Sequence, residues 1–217
     1  MPQLFGPYAN TFSRVGLTAL LTGPLLVIGG LVTSLWTPYT TGLGHQPEQP
    51  IPFSHKHHVG EDGIDCRYCH ATVETTAFAG MPSTHVCMTC HSQLFTSAPM
   101  LAPVRESLAE HKPLTWRRVY ELPDYVYFDH SIHIAKGVGC AECHGPVARM
   151  PLTRQAVPLK MGWCLNCHRD PGPHLRPAAS ITDTSFTAHN TPAQAAAYVR
   201  AYHIHTAHLT DCSVCHR

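Results

Sequence analysis

Ten cysteines fall in five copies of one short motif, Cys-x-x-Cys-His. Two thiols at this spacing add to the two vinyl groups of one haem, and the following imidazole binds the iron as the proximal ligand. The five copies are Cys66, Cys69 and His70; Cys87, Cys90 and His91; Cys140, Cys143 and His144; Cys164, Cys167 and His168; Cys212, Cys215 and His216. The pattern predicts five covalently bound haems of the c type.

A single copy of this motif is ambiguous, because paired cysteines also form zinc sites and dithiol redox centres. Here the five copies use every cysteine in the chain, so none remains for a disulfide or a separate zinc site. A zinc-ribbon array would also leave the histidine after each second cysteine unexplained. Repetition therefore favours haem attachment.

The composition agrees with this interpretation. The chain has 18 histidines, more than five proximal ligands need, and neutral imidazole is a strong axial ligand for haem iron. Lys+Arg 15 and Asp+Glu 14 nearly balance, with 13% charged residues. The balance argues against a nucleic-acid partner, which requires a basic face, and against a freely diffusing carrier steered by charge. A subunit held among partner proteins fits better.

An apolar segment near the N-terminus predicts a membrane anchor. Residues 15–36 read VGLTALLTGPLLVIGGLVTSLW without a charge, and a span needs about 20 such residues. A cleaved signal peptide is the alternative, but the segment exceeds a signal core and no Ala-x-Ala site follows. We expect residues 1–14 in the cytoplasm, residues 15–36 as a single transmembrane helix in contact with lipid, and the haem domain on the periplasmic or extracellular side of the cell membrane, where cytochromes c are assembled.

The exported part contains an internal repeat. Phe53-Ser-His55-Lys-His-His58 and Phe128-Asp-His130-Ser-Ile-His133 share the form Phe-x-His-x-x-His, and Met-Pro-x-Thr recurs after each. We predict a linker over residues 37–52, a first two-haem unit over 53–127, a second over 128–180, and a C-terminal helix with the fifth haem over 181–217.

Regular secondary structure should be sparse, because 19 prolines and 15 glycines interrupt periodic segments. Helices are expected over residues 103–111 and from Pro192 to about Thr206, with short helical turns after several motifs. The predicted fold is one N-terminal transmembrane helix plus a small, mostly irregular or α-helical multihaem domain with little or no β-sheet.

The two Phe-x-His-x-x-His elements resemble those of class III multihaem cytochromes c. The resemblance implies that His55 and His130 bind the irons of the haems at Cys66 and Cys140, while His58 and His133 bind two other irons. Imidazoles three residues apart share a face of a helical turn and can reach neighbouring haems.

The fifth distal ligand is open, and we take His205 as the candidate because a third His-x-x-His precedes the last motif. The alternatives are His208, His45, His57, His85, His111, His174, His189, His203, Met81, Met88, Met100, Met150 and Met161.

Nearly the whole chain resembles the pentahaem cytochrome c subunit (ActA) of bacterial alternative complex III. The stretches that carry the resemblance are IPFSHKHHVGEDGIDCRYCH, AGMPSTHVCMTCHSQ, APMLAPVRES, PDYVYFDHSIHIAKGVGCAECHG, MPLTRQAVPLKMGWCLNCHR and CSVCHR. It implies partners within a quinol-oxidising complex: an iron–sulfur subunit, integral-membrane subunits and a monohaem cytochrome c subunit. It implies electron transfer towards that cytochrome, a soluble carrier or a terminal oxidase.

Three functional hypotheses follow. The first is an electron-relay subunit with no substrate chemistry or small-molecule substrate of its own. The second is a multihaem reductase in which one iron keeps an open coordination site. The third is a membrane tether that delivers quinol electrons to a separate soluble reductase. The proximal histidine is present in all five motifs, which favours the first hypothesis.

Overall fold

The computed structural model describes residues 4–217, and within this range helices and turns are joined by irregular segments. The α-helices are α1 Ala9–Ser34, α2 Pro38–Thr41, α3 Cys66–Cys69, α4 Thr84–His91, α5 Ala102–Ala109, α6 His130–Ala135, α7 Cys140–His144, α8 Met161–Arg169, α9 Pro192–Ala201 and α10 Cys212–Cys215. A π-helical turn covers Lys56–Glu61. The described residues form no sheet, only the isolated bridges Val126 to His216 and Val138 to Leu175. The predicted fold class is confirmed.

Helix α1 contains most of the predicted membrane segment. Its 26 residues would extend about 39 Å at 1.5 Å per residue, which exceeds a hydrocarbon core of roughly 30 Å. None of its residues is buried, and Pro24 lies inside it. Among residues 4–217 it is the one helix long and apolar enough to cross a membrane.

The chain divides into two compact units, one ending at Gly42 and the other spanning Leu43–Arg217. All five motifs belong to the second unit. The cysteines of every motif are helical, in α3, α4, α7, α8 and α10. As expected, short helical turns follow some of the motifs, since the 3₁₀ turns Val147–Arg149 and Gly172–His174 come after the third and fourth.

Helices α5 and α9 occur where the sequence predicts them, and both end earlier than expected. Helix α9 begins with a capping box between Thr191 and Gln194 and ends at Ala201. His203 adopts a left-handed backbone conformation with φ of 50°, which stops the helix before Thr206. His111, which follows α5, also adopts a left-handed backbone conformation, with φ of 54°.

The apolar core of the protein itself is small. Among residues 4–217 the buried hydrophobic side chains are Ile51, Val73, Val104, Met150, Leu175 and Ile181. A domain of this length normally buries a far larger apolar core. The second unit therefore depends on interactions other than side-chain burial, and the imidazole pairs described below are the strongest candidates.

Arg176 is the largest charged side chain in the interior, with 1% of its surface exposed. It donates to Glu142 Oε1 at 2.6 Å and to the carbonyl oxygen of Asp183 at 3.1 Å. Its guanidinium approaches Gly139 so closely that a Cβ there would lie about 2.1 Å from Nε. Breaking such a buried pair costs about 3–5 kcal/mol, so Arg176 fixes the segment that leads into the third motif.

The boundary between the two units, after Gly42, leads to a testable prediction. A version that starts at Leu43, exported by a cleavable signal, should be soluble and should carry five haems, because all five motifs lie beyond the boundary. Intact mass and haem-stained denaturing gels would measure this. The full-length chain is the control, and loss of haem in the exported short version would show that residues 1–42 take part in haem binding.

Candidate haem-binding sites

Four of the five proximal histidines face a second imidazole. The ring centroids of His55 and His70 are 6.5 Å apart and those of His58 and His91 are 6.1 Å apart. In the second repeat the separations are 6.3 Å for His130 and His144 and 6.1 Å for His133 and His168. The structure thus places each of these four sequence candidates opposite a different motif histidine.

These separations fit an iron atom between the rings. A first-row metal lies about 2.0 Å from an imidazole nitrogen, which is itself about 1 Å from its ring centroid, so two trans imidazoles place their centroids about 6 Å apart. All four pairs lie between 6.1 and 6.5 Å. The residues present therefore suit haem iron with two histidine ligands.

Seven of the eight paired histidines have their second ring nitrogen, Nδ1, anchored by an oxygen atom, and within residues 4–217 His144 is the exception. Nδ1 of His70 lies 2.7 Å from the carbonyl oxygen of Gly80, and Nδ1 of His133 lies 2.6 Å from that of Asp129. Three further contacts of this kind are His58 to Ser54, His91 to Leu94 and His168 to Leu209. An Nδ1–H that donates to an oxygen fixes the tautomer and leaves Nε2 as the ligand atom.

The first distal histidine of each repeat is anchored by the other repeat. His55 Nδ1 lies 2.8 Å from the hydroxyl of Thr153, and His130 Nδ1 lies 2.8 Å from the carbonyl oxygen of Ala77. The backbone follows the same pattern, since Lys56 N donates to Met150 O and His130 N donates to Ala77 O. We call these contacts the reciprocal anchors.

Sequence reasoning missed the reciprocal anchors, although one signal was available. The repeated Met-Pro-x-Thr places Thr153 in the second repeat and Thr84 in the first. Thr153 holds His55, whereas Thr84 bonds to the hydroxyl of Ser107 at 2.6 Å and so joins α4 to α5. The same motif therefore has different partners in the two repeats.

One phenylalanine lies against both distal histidines of each repeat. The ring centroid of Phe53 is 4.9 Å from that of His55 and 4.4 Å from that of His58. Phe128 lies 4.7 Å from His130 and 4.5 Å from His133. In each repeat the first ring contact is edge-to-face and the second is stacked. The two copies have the same ring geometry, which explains why Phe is part of the repeated element.

The buried imidazoles are held in the neutral form that binds metal. Burial, then the neighbouring imidazoles of His70 and His58, lowers the pKa of His55 to about 4. Burial, then His130, lowers the pKa of His144 to about 4. Burial also lowers the pKa of His133. At neutral pH these rings carry no proton on the coordinating nitrogen.

Two buried donors have no partner among the residues described, Trp116 Nε1 and Arg176 Nε. Trp116 contacts Phe53, whose ring also touches His55 and His58, and Arg176 packs against Gly139 beside Cys140. Buried donors are rarely left unpaired in a native structure. Haem propionates are acceptors of the right charge for both.

The motif cysteines lie close to those of neighbouring motifs. The thiols of Cys66 and Cys140 lie close enough to interact, which lowers the pKa of Cys66 and raises the pKa of Cys140. Burial, then the nearby Cys167 thiol, raises the pKa of Cys143 to about 12. All ten cysteines are free of disulfides, as attachment to haem requires.

The proximal histidine of the fifth motif has different neighbours. His216 Nδ1 is 3.3 Å from the carbonyl oxygen of Tyr125, and the two rings are 5.8 Å apart. No ring contact joins His216 to a second imidazole within residues 4–217. His205, the predicted distal ligand, is exposed and is not brought to His216, so its role stays a prediction.

Comparison with known proteins agrees with this geometry. Residues 132–217, which contain the last three motifs, match the cytochrome c3 family. This chain carries a cytochrome c3-like multihaem domain.

The chain is similar to the multihaem cytochrome c subunit of menaquinone reductase from Nitratidesulfovibrio vulgaris. The two are 41% identical over 119 residues, which make up 53% of this chain and 56% of that subunit. The match thus spans about half of each protein.

The pairing makes a prediction for the second repeat. His130→Ala and His133→Ala should each leave one more iron high-spin than in the unsubstituted cytochrome, because each removes one strong-field ligand from a different haem. Ferric spin resonance would count the high-spin iron. His57→Ala is the matched control, since His57 is exposed and ion-paired with Glu61 at 2.9 Å. An unchanged spectrum for His133→Ala would contradict the assignment.

The angles between paired imidazoles predict distinct spectra. The ring planes are nearly parallel in His55 and His70 (9°) and in His130 and His144 (11°), but inclined in His58 and His91 (67°) and in His133 and His168 (43°). Parallel planes direct π donation along one axis and give rhombic low-spin signals, whereas strongly inclined planes give highly anisotropic ones.

Low-temperature spin resonance should therefore show two rhombic signals and at least one highly anisotropic signal. His58→Ala should remove the most anisotropic signal, because His58 belongs to the most inclined pair. His57→Ala should retain it. Four indistinguishable rhombic signals would be incompatible with these ring angles.

Proposed function

We propose that the protein is a membrane-anchored pentahaem cytochrome c that relays electrons within a quinol-oxidising complex of the alternative complex III type. The observation that supports it best is the set of four imidazole pairs at iron-binding distance. Haem c, when bound, supplies an iron that accepts and donates one electron. At these four irons two histidine ligands would leave no coordination position for a substrate, which favours relay over substrate chemistry there.

The proposed distal ligands are His55, His58, His130 and His133, opposite the proximal residues His70, His91, His144 and His168. Histidines three residues apart in each repeat then hold two neighbouring irons. Since one phenylalanine touches both members of each distal pair, the first motif adjoins the second and the third adjoins the fourth.

Two further sets of contacts connect these motif pairs. The reciprocal anchors and the contact between Cys66 and Cys140 bring the first motif beside the third. His168 Nδ1 lies 2.8 Å from the carbonyl oxygen of Leu209, three residues before the last motif. The thiol of Cys164 is also close enough to Cys215 for charge there to raise its pKa, after burial.

The relay therefore has a proposed spatial order that differs from the sequence order. It runs from the second motif to the first, then to the third, fourth and fifth. The two motifs at its ends contain the exposed cysteines, Cys90 and Cys212, whereas the other eight are partly buried. Entry and exit of electrons at the ends is consistent with this exposure.

Membrane attachment through α1 is part of the proposal, with the haem domain on the periplasmic or extracellular side. The helix is long and apolar enough to cross a membrane once. The proposed partners are integral-membrane subunits, an iron–sulfur subunit and a monohaem cytochrome c subunit. The homologous protein is a subunit of menaquinone reductase, which supports a quinone as a redox partner of the complex, although that name describes quinone reduction, the opposite direction to the one proposed here.

The proposal is tested by purifying the protein from its native membranes with a tag after Arg217. We expect integral-membrane and iron–sulfur subunits in the same complex, and haem reduction by a quinol only when those subunits are present. The matched control is the purified single chain, which should not oxidise quinol.

Two other outcomes would contradict the proposal. Isolation with only a soluble reductase would support the tether hypothesis. Turnover of nitrite, hydroxylamine or tetrathionate by the single chain would support the reductase hypothesis.

A further inference from the structure

The last motif differs from the other four in what surrounds its proximal histidine. His216 contacts the segment before the second repeat: its Nδ1 lies 3.3 Å from Tyr125 O, and Tyr127 N donates to Cys215 O at 2.7 Å. Val126 forms an antiparallel bridge with His216. The backbone therefore fixes the motif and its imidazole in place.

The four distal histidines share two properties, and neither candidate near the last motif has both. The four are partly buried, and each has Nδ1 anchored by an oxygen atom. His205 and His208 are exposed, and His208 Nδ1 is 3.0 Å from Asp211 Oδ2. Metal-binding histidines almost always have an anchored second nitrogen. Within the described residues His205 has no such anchor.

The methionines offer no better candidate. Met150 is buried with 2% of its surface exposed, and its side chain approaches Gly145 beside the third motif. Met88 lies between the cysteines of the second motif. Met161, the last methionine in the sequence, begins α8 and is 62% exposed. Met81 and Met100 are each 58% exposed.

The surface beside the last motif is aromatic, apolar and exposed. Tyr125 is 63% exposed, Tyr127 48% and Val214 43%, and the thiol-bearing Cys212 is exposed as well. Arg217 lies over the ring of Tyr127 at 4.1 Å. Exposed aromatic residues next to an arginine are typical of protein contact surfaces.

We infer that His216 is the sole axial ligand that residues 4–217 supply to the haem of Cys212 and Cys215. The opposite coordination position of that iron then takes a donor from outside the chain. This inference rests on the proposed binding of haem by all five motifs. One end of the relay is then a ligand-binding site, whereas each of the other four irons has an imidazole on both sides.

The donor must be a neutral nitrogen or sulfur group, or a small π-accepting molecule, because these bind haem iron axially. Two sources supply such chemistry. One is a side chain of the neighbouring subunit, which would reach the iron across the aromatic surface. The other is a free small molecule. The two are distinguished by comparing the single chain with the complex.

The probe is carbon monoxide, added to the reduced full-length chain in detergent and in buffer free of imidazole and azide. We expect one carbon monoxide per five haems and, in the oxidised chain, about one fifth of the iron high-spin. His205→Ala, His208→Ala and Met161→Leu should leave both values unchanged. His133→Ala should double both, because it opens a second iron.

In the intact complex, loss of carbon monoxide binding would identify a partner side chain as the sixth ligand. Retention would identify a site for small molecules. Both outcomes support the inference.

Two results would overturn the inference. Five haems by intact mass with all iron low-spin and no carbon monoxide binding would show that the chain supplies the sixth ligand itself. A larger high-spin fraction in His205→Ala or His208→Ala would identify that ligand. Fewer than five haems by mass would instead contradict the proposed cofactor content, so failure of the inference is distinguishable from failure of the proposed function.

Discussion

An iron bound between two imidazoles requires ligands that reach it from opposite sides, and the structure of the second unit follows from this requirement. His70 and His55 belong to one repeat, but His55 is held by Thr153 of the other repeat. In the proposed coordination each iron would join two segments of one repeat, and the hydrogen bond with Thr153 joins that site to the other repeat. A chain with few buried hydrophobic side chains can remain ordered because such bonds replace the apolar contacts that it lacks.

The paired imidazoles are partly buried, and burial favours the uncharged form of a ring. A protonated His55 or His144 would carry a charge beside other buried imidazoles, and burial keeps both neutral. Neutral rings leave a nitrogen lone pair for the iron, and the oxygen atoms opposite Nδ1 select which nitrogen offers it. The irregular backbone leaves carbonyl oxygens available to accept a hydrogen bond from Nδ1. In a regular helix those oxygens would accept from the backbone N–H groups of the helix instead.

Much of the fold was predictable from sequence because its determinants are local. The motif spacing, the apolar segment and the repeated Phe-x-His-x-x-His are each readable within a few residues. Helices α5 and α9 were predicted from proline at their first turns, but their ends were not, because His111 and His203 adopt left-handed conformations that no sequence rule required. The anchors of His55 and His130 were missed since their partners lie in the other repeat. The surroundings of His216 depend on Tyr125, which is 91 residues away.

The reciprocal anchors have a consequence for biogenesis. An exported chain emerges with its N-terminal part first, so the first repeat reaches the haem-attachment machinery before Thr153 has crossed the membrane. Until then no hydrogen bond with Thr153 orients the ring of His55. The haem of Cys66 and Cys69 can therefore be attached before His55 is fixed as its second ligand. When the second repeat follows, Ala77 of the first repeat is already in place to orient His130. Maturation is therefore directional: covalent attachment can follow the order of the sequence, but completion of the first coordination sphere waits for Thr153, which follows the third motif.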